Sequence, residues 1–150
     1  MNFTRLEVRV MNAEGFRPKP YLDTVGTPTI GYGTTSIFGH PVTLQTPILN
    51  TVAARQLLRG DLYQALVDAQ SLFSRLANMN WVRQEILVEM AYNLGKTRLS
   101  NFKRLIAVAL ELNYPRMGDE MEDSRWHGQI GNRGPLLVTA MRSGRWEKTV

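Results

Sequence analysis

The feature that most constrains this fold is a change of residue texture at residues 16–41. That segment is rich in proline, glycine, threonine and aromatic residues, whereas apolar residues recur at helical spacing on either side of it. Within it, residues 20–22 and 29–32 are β-prone pieces separated by turn residues. The pattern therefore predicts an α+β fold in which a small, irregular β-meander lies between helices.

Helices are predicted before and after the meander. Apolar residues at helical spacing, followed by Gly15, indicate a first helix near residues 2–14. Thr46 and Pro47 form a good N-cap and first-turn pair, and leucines continue the helical pattern, so we expect a long connecting helix over residues 47–76. Four further helices are predicted at residues 81–94, 102–112, 116–124 and 135–143.

These elements predict a single domain with two lobes. A chain of 150 residues is long enough to build a core without disulfides or metals, and no repeat or flexible linker indicates an appended module. We expect an N-terminal lobe at about residues 15–50. The C-terminal helical lobe is expected to combine residues 1–14 with residues 70–150, with a cleft between the two lobes.

Composition excludes several kinds of chemistry. The chain has no cysteine, which excludes disulfides, thiolate zinc sites and a cysteine nucleophile. His40 and His127 lack the spacing of a metallopeptidase, so neither a metal nor an organic cofactor is expected. Arg5, Glu7 and Arg9 interrupt the apolar residues near the N-terminus, so we expect no signal peptide, no membrane anchor and a cytoplasmic location.

Two carboxyl groups are candidates for acid–base chemistry. Glu14 ends the first predicted helix, where the macrodipole and unpaired carbonyls disfavour its charge and should raise its pKa. Asp23 lies in a turn rich in backbone N–H groups and hydroxyls, which suits an ionised carboxylate that holds a water together with Thr29. Each residue taken singly is more often structural. Together they are the equipment that glycoside hydrolysis requires.

The spacing of these residues resembles that of the T-even bacteriophage lysozyme family. The matching motif is Glu14-Gly15, then Tyr21-Leu22-Asp23, then a segment from Gly26 to Gly33 that contains Thr29-Ile30-Gly31. The resemblance continues through Tyr92-Asn93-Leu94-Gly95, Phe102, Ser124-Arg125-Trp126, Asn132-Arg133 and Ser143-Gly144, followed by Trp146.

The resemblance implies a role for each matching residue. It implies that Glu14 is the general acid, that Asp23 positions or activates water on the opposite face of the sugar, and that Thr29 helps to hold that water. Arg133 would lie beside the acid and oppose the rise in its pKa. The supporting or substrate-binding residues implied in this way are Tyr21, Gly33, Tyr92, Asn93, Arg125, Asn132 and Arg133.

The same resemblance implies a lysozyme-like fold and a muramidase activity. The substrate would be bacterial peptidoglycan, cut with inversion at the β-1,4 bond between N-acetylmuramic acid and N-acetylglucosamine. The protein would be a phage endolysin that stays in the host cytoplasm until a holin releases it to the wall. We expect a monomer that binds no nucleic acid.

The chain departs from the family pattern at several positions. Thr34 and Thr35 replace the usual histidine and leucine, which removes an ion pair that the histidine could have formed with Asp61. Tyr92 replaces a cleft phenylalanine and could add a hydroxyl contact to sugar. The three tryptophans could stack on sugar rings but are assigned to packing, because aromatic residues in a helical bundle are more often buried. They are Trp81, Trp126 and Trp146.

Two other functions are compatible with parts of this sequence. A lytic transglycosylase needs the acid but no water, so Asp23 and Thr29 argue against it. A basic nucleic-acid or wall-binding module would use the net charge of +5 and leave the carboxyls idle. No recognised binding motif supports such a module, and the charge equally fits an anionic cell envelope or a simply solvated surface.

Overall fold

The computed structural model describes residues 1–147, and the chain divides into two compact units. The N-terminal unit is Phe3–Gln64, and the C-terminal unit joins Met1–Asn2 to Ala65–Val150. Helices combined with short antiparallel strand pairs confirm the α+β prediction. In chain order the elements are α1 (Phe3–Glu14), β1 (Arg17–Leu22), β2 (Pro28–Gly31), β3 (Ser36–Ile37), β4 (His40–Pro41), α2 (Thr51–Leu72), a 3₁₀ turn (Leu76–Asn78), α3 (Trp81–Ser100), α4 (Lys103–Leu110), α5 (Tyr114–Glu122), α6 (Arg125–Gln129) and α7 (Arg133–Ser143).

Helix α1 belongs to the N-terminal unit, whereas the sequence predicts that residues 1–14 group with the C-terminal helices. Its Glu7 is only 1% exposed and pairs with Arg55 and Arg59 of α2. Phe3 of α1 stacks on Tyr63 of α2, with ring centroids 4.3 Å apart. Apolar periodicity predicted the helix but not these polar and aromatic partners, which depend on tertiary contacts.

The predicted meander consists of two separate antiparallel pairs, β1 with β2 and β3 with β4. Strand β1 begins at Arg17, and a register irregularity between Arg17 and Tyr21 interrupts its pairing with β2. Such an irregularity is expected where Pro18 and Pro20 cannot donate a ladder hydrogen bond. Tyr21 then pairs directly with Thr29, which brings two predicted site residues onto neighbouring strands.

Helix α2 is shorter than the predicted helix over residues 47–76. It begins at Thr51 because Asn50 caps it, with the Asn50 Oδ1 atom accepting from the Ala53 N–H at 2.8 Å. The Thr46 hydroxyl instead accepts from the Thr43 N–H at 2.9 Å and closes a turn before the helix. A local Thr-Pro signal therefore marked a turn rather than a helix start.

The C-terminal unit is helical. Its core includes buried faces of α3 and α7, with Ile86, Leu87, Leu137 and Met141 among the fully buried side chains. Helix α3 is broken at Gly95, whose φ of 77° and ψ of 161° are not helical, near the end predicted at residue 94. Helix α6 was not predicted, because five residues are too few to establish apolar periodicity.

The tryptophans differ in their environments. Trp126 is 3% exposed, as packing requires, but Trp81 is 60% exposed at the start of α3, so its assignment to packing was wrong. Trp146 is half-buried and donates its indole N–H to the buried Glu85, which also accepts from the Asn2 backbone N–H. Glu85 thus holds segments near both ends of the chain. No helix among residues 1–147 is both long and apolar enough to cross a bilayer.

Candidate active site

Glu14 is the last residue of α1 and is half-buried. The helix ends there because Gly15 takes a φ of +70°, a left-handed conformation that a side chain would strain. The Gly15 N–H still bonds to the Met11 carbonyl at 2.9 Å, and β1 starts two residues later. The sequence thus places this carboxyl at the junction of the first helix and the sheet, as predicted.

Asp23 anchors the turn between β1 and β2. Its Oδ1 atom accepts backbone N–H bonds from Val25 at 3.0 Å and from Thr27 at 2.8 Å. The Asp23 N–H also bonds to the Thr27 carbonyl at 3.0 Å, so the carboxylate is rigidly oriented. Within residues 1–147 both hydrogen bonds that this carboxylate accepts are made by Oδ1. The other oxygen, Oδ2, is therefore available to accept a proton or a hydrogen bond from a ligand.

Thr29 lies in β2 and is 4% exposed. Its hydroxyl donates to the Thr27 carbonyl at 2.8 Å, in the same turn that Asp23 holds. Because its single proton is used there, the oxygen of Thr29 can act toward a further group only as an acceptor. Asp23 and Thr29 are thus both fixed by Thr27, and each offers an acceptor oxygen.

Tyr21 connects the two predicted carboxyl residues electrostatically. Burial raises the pKa of its phenol above the usual 10, and the negative charges of Glu14 and Asp23 raise it further. Arg17 acts in the opposite direction, and its guanidinium carbon lies 4.0 Å from the centre of the Tyr21 ring. The N-terminal unit therefore gathers Glu14, Tyr21, Asp23 and Thr29 as predicted, together with Arg17. Arg17 was not predicted from the sequence, although it lies four residues before Tyr21 on the same strand.

A tight glycine turn follows β2. Reciprocal backbone hydrogen bonds of 2.9 Å join Ile30 to Thr34, and both Gly31 and Gly33 have positive φ angles. A Cβ atom on Gly31 would lie 3.2 Å from the Ala54 Cβ of α2, so the sheet can approach the helix closely only at a glycine. The predicted role of Gly33 in substrate binding stays a prediction, but the turn that contains it requires positive φ angles, which favour glycine.

Thr34 contacts the residue that the missing histidine could have paired with. Its hydroxyl donates to the Asp61 Oδ2 atom at 3.5 Å, which is a long and weak hydrogen bond. Burial raises the pKa of Asp61 from 3.8 to about 6, and the Thr34 bond opposes that rise only in part. The substitution has therefore left a partly buried carboxyl that lacks a cationic partner among the described residues of its unit.

The remaining predicted site residues lie in the C-terminal unit. Tyr92 and Asn93 are half-buried on α3, and Asn132 precedes α7. Arg133 forms an ion pair with Glu89, whose side chain is fully buried. Sequence reasoning missed Glu89, and the only available signal was an acidic residue on an otherwise apolar stretch of α3.

Arg125 lines a groove of about 520 Å³ in the C-terminal unit. The groove has an apolar part that includes Phe102 and the buried Trp126, whose indole nitrogen has no hydrogen-bond partner among the described residues. Charged residues of both signs surround it. They are Arg98, Lys103, Arg104, Glu120, Asp123 and Arg125. Among residues 1–147, no group of three or more acidic or histidine side chains is arranged to hold a metal.

Comparisons with known proteins extend these observations to the whole chain. A family model described as phage lysozyme matches residues 11–142. "Probable T4-type lysozyme 2" of Dictyostelium discoideum is 22% identical, over 87% of this chain and 89% of its own length. "Pre-baseplate central spike protein Gp5" of Enterobacteria phage T4 is 28% identical over 89% of this chain, which spans 27% of that protein. The endolysin of Escherichia coli O157:H7 phage FAHEc1 superposes with a TM-score of 0.79 at 22% identity, over 99% of this chain and 98% of that one.

The solved endolysin shows that the fold is lysozyme-like, which confirms the fold expected from the resemblance. The family model carries the assignment further, because its match spans Glu14, Asp23 and Thr29 as well as Arg125 and Arg133. With most of its residues matched by that model, the chain belongs to the phage lysozyme family, and it is a glycoside hydrolase.

Proposed function

We propose that this lysozyme hydrolyses the β-1,4 bond between N-acetylmuramic acid and N-acetylglucosamine in bacterial peptidoglycan, with inversion at the anomeric carbon. The observation that carries the proposal is that Asp23 and Thr29 are both bonded to Thr27 and that each keeps an oxygen able to accept a hydrogen bond. The Asp23 Oδ1 atom is committed to two backbone N–H groups, and the Thr29 proton is committed to Thr27. A water that donates its two protons to Asp23 Oδ2 and Thr29 Oγ1 would direct its lone pairs away from the protein, where they could attack a sugar.

In this mechanism Glu14 donates a proton to the leaving oxygen as the glycosidic bond breaks, which forms an oxocarbenium-like transition state. The water held by Asp23 and Thr29 attacks the anomeric carbon from the opposite face. Its proton passes to Asp23, so the reaction forms one C–O bond and breaks one. In the C-terminal unit, Arg133 forms its ion pair with the buried Glu89.

The same observation favours hydrolysis over transglycosylation. An enzyme that closes an anhydro ring within the sugar has no use for a water held by two acceptors, whereas a hydrolase requires one. Two backbone N–H groups donate to Asp23 and orient its carboxylate.

We infer further that the protein is an endolysin, kept in the host cytoplasm as a monomer and released to the peptidoglycan through a holin-type pore. The likeness in fold to the endolysin of phage FAHEc1 supports lysis as the role of this chain. Expression with and without a co-expressed holin tests this, since lysis of the culture should require both proteins.

The chemistry is tested by digesting purified peptidoglycan and identifying the products. Products from ¹⁸O-labelled water should carry the label at the reducing end, and NMR during the first turnovers should show the α-anomer. Glu14→Gln and Asp23→Asn should each lower kcat at least 10²-fold, while the exposed Glu147→Gln control, which removes the same charge, should not. Anhydro ends, or wild-type activity in both site variants, would contradict the proposal.

A further inference from the structure

Phe38 lies at the tip of the β3–β4 hairpin in a backbone conformation that does not suit its side chain. Ile37 pairs with His40, so the loop consists of Phe38 and Gly39, whose φ angles are 49° and 80°. Two positive φ angles are typical of a type I′ turn, in which asparagine or aspartate followed by glycine is the usual pair. A bulky side chain strains this backbone, so local preference opposes phenylalanine at this position.

The exposure of the Phe38 ring is a second unfavourable feature. The side chain is 90% exposed, more than any other large apolar side chain among the described residues. The hairpin beneath it is regular, because Ser36 pairs with Pro41 and the Val42 N–H bonds to the Thr35 carbonyl at 2.9 Å. The fold thus holds an aromatic ring in solvent at a strained position, which is the kind of outlier that indicates a ligand.

The segment around Phe38 carries no aspartate, glutamate, lysine or arginine. These residues are absent from positions 24–54, although 21% of the whole chain is charged. His40 is the one side chain in this segment that can become a cation. Exposed hydroxyl, amide and apolar side chains occupy the surface instead, and they include Thr35, Ser36, Thr43, Gln45, Leu44 and Ile48. This part of the N-terminal unit therefore suits a neutral ligand.

The absence of charge distinguishes between possible ligands. Nucleic acids and anionic membrane surfaces are bound through lysine and arginine, which this segment lacks. A glycan strand of N-acetylated sugars is neutral and offers hydroxyl and amide groups for hydrogen bonds. The apolar faces of its sugar rings can pack on an aromatic side chain. Charge complementarity therefore favours a glycan as the ligand of Phe38.

Chain connectivity links the hairpin to the candidate active site within the N-terminal unit. Reciprocal hydrogen bonds join Thr34 to Ile30, which directly follows Thr29. This bridge is antiparallel, so the chain leaves it heading back along β2, in the direction of the Asp23 turn. Phe38 follows Thr34 by four residues, which places its Cα atom within about 24 Å of the Thr29 Cα atom. A glycan strand several sugars long can span that distance.

We propose that Phe38 is a substrate-binding residue whose ring packs on a sugar of the peptidoglycan strand, several sugars away from the bond that is cut. This inference rests on the proposed function and deepens it, because it names the part of the substrate that the hairpin binds. The ring contacts a sugar remote from the reacting atoms, so it stabilises the bound ground state and the transition state equally. Its loss should therefore raise KM and leave kcat unchanged.

Binding to chitin tests the contact directly, because chitin is a neutral β-1,4-linked polymer of N-acetylglucosamine without peptides. In a Glu14→Gln background, Phe38→Asn should weaken binding roughly 5- to 20-fold, as expected for one aromatic side chain that is partly buried by a ligand. The same change should raise Tm by about 2–4 °C, because asparagine tolerates the left-handed backbone. Phe38→Tyr should retain the binding. The control Leu110→Asn removes an apolar side chain that is 51% exposed in the C-terminal unit and should not alter binding.

Kinetics with the active enzyme supply a second measurement. On long peptidoglycan strands Phe38→Asn should raise KM by a similar factor at unchanged kcat, and on fragments too short to reach the hairpin it should match the wild type. A fall in kcat on both substrates would refute a role in binding remote sugars.

The outcomes separate this inference from the function beneath it. If the wild-type protein does not cleave peptidoglycan, the proposed function fails, whereas the chitin comparison still decides whether Phe38 binds glycan. The inference is refuted if the Glu14→Gln protein does not bind chitin, or if adding Phe38→Asn leaves that binding unchanged. It is also refuted if Phe38→Asn abolishes only binding to phosphatidylglycerol vesicles, or only a dimer detected by light scattering, because the ring would then contact a membrane or a second copy.

Discussion

Replacing Asp61 with asparagine should stabilise this protein at neutral pH. The carboxyl is partly buried on α2, and its recorded hydrogen bond is the 3.5 Å contact with Thr34. Burial raises its pKa from 3.8 to about 6, so the native state holds this proton more tightly than the unfolded state does. The free energy of unfolding therefore falls as the pH rises from about 4 to about 6, and the penalty is complete at higher pH.

The size of the effect follows from the pKa difference. A shift of one pKa unit corresponds to about 1.36 kcal/mol, so the rise from 3.8 to about 6 sets an upper limit of about 3 kcal/mol. Solvent reaches part of the side chain, which reduces the expected gain to about 1–2 kcal/mol. For a chain of 150 residues this corresponds to a Tm higher by about 3–6 °C. The amide of asparagine retains an acceptor for the Thr34 hydroxyl.

Urea unfolding followed by circular dichroism at pH 7.5 and pH 3.5 measures this gain. Asp61→Asn should exceed the wild type at pH 7.5 and nearly match it at pH 3.5, where the native aspartate is protonated and the unfolded one is mostly so. Glu147→Gln removes the same charge from an exposed position and should be neutral at both pH values. A variant no more stable than the wild type at pH 7.5, or an equal gain at both pH values, would show that ionisation of Asp61 is not the cause.

Two further predictions concern stability. Burial opposes the charge of Glu7, but hydrogen bonds from two arginines lower its pKa below 4.5, so its stabilisation is present above pH 4.5 and lost as the pH falls through the lower native pKa. Glu7→Gln should cost about 1–3 kcal/mol at pH 7 and much less at pH 3 in urea unfolding; a pH-independent cost would disprove this. Gly31→Ala and Gly26→Ala both strain a positive φ, but only Gly31→Ala also meets the Ala54 Cβ atom, at 3.2 Å. Gly31→Ala should therefore lower the free energy of unfolding by about 1 kcal/mol more, and equal losses would show that the close approach relaxes.

Much of the fold follows from local pattern. The first helix, the β-prone segment and the four later helices were all predicted within a few residues, because apolar spacing and glycine or proline boundaries report directly on local structure. The start of α2 was not, since Asn50 and Thr46 are both good caps and only their surroundings distinguish them. The exposure of Trp81 was also missed, because periodicity does not say whether a neighbour covers a helix start.

The candidate site divides in the same way. The positions of Glu14 at a helix end and of Asp23 in a turn were predicted from the sequence, because each is defined by residues adjacent to it in the chain. The contacts of Arg17 and the burial of Glu85 and Glu89 were not predicted from the sequence. Each depends on a partner that folding brings to it, and an acidic or basic residue in isolation is most often simply solvated.

The sequence by itself determined the order of the longer helices around the β-prone segment, the turn that carries Asp23 and the family to which the chain belongs. Tertiary structure alone decided which polar groups are buried and what they contact, including the stack of Arg17 on Tyr21 and the long contact between Thr34 and Asp61. The physical reason is range. Backbone propensity and capping act over a few residues, whereas desolvation and charge depend on every atom that folding places nearby.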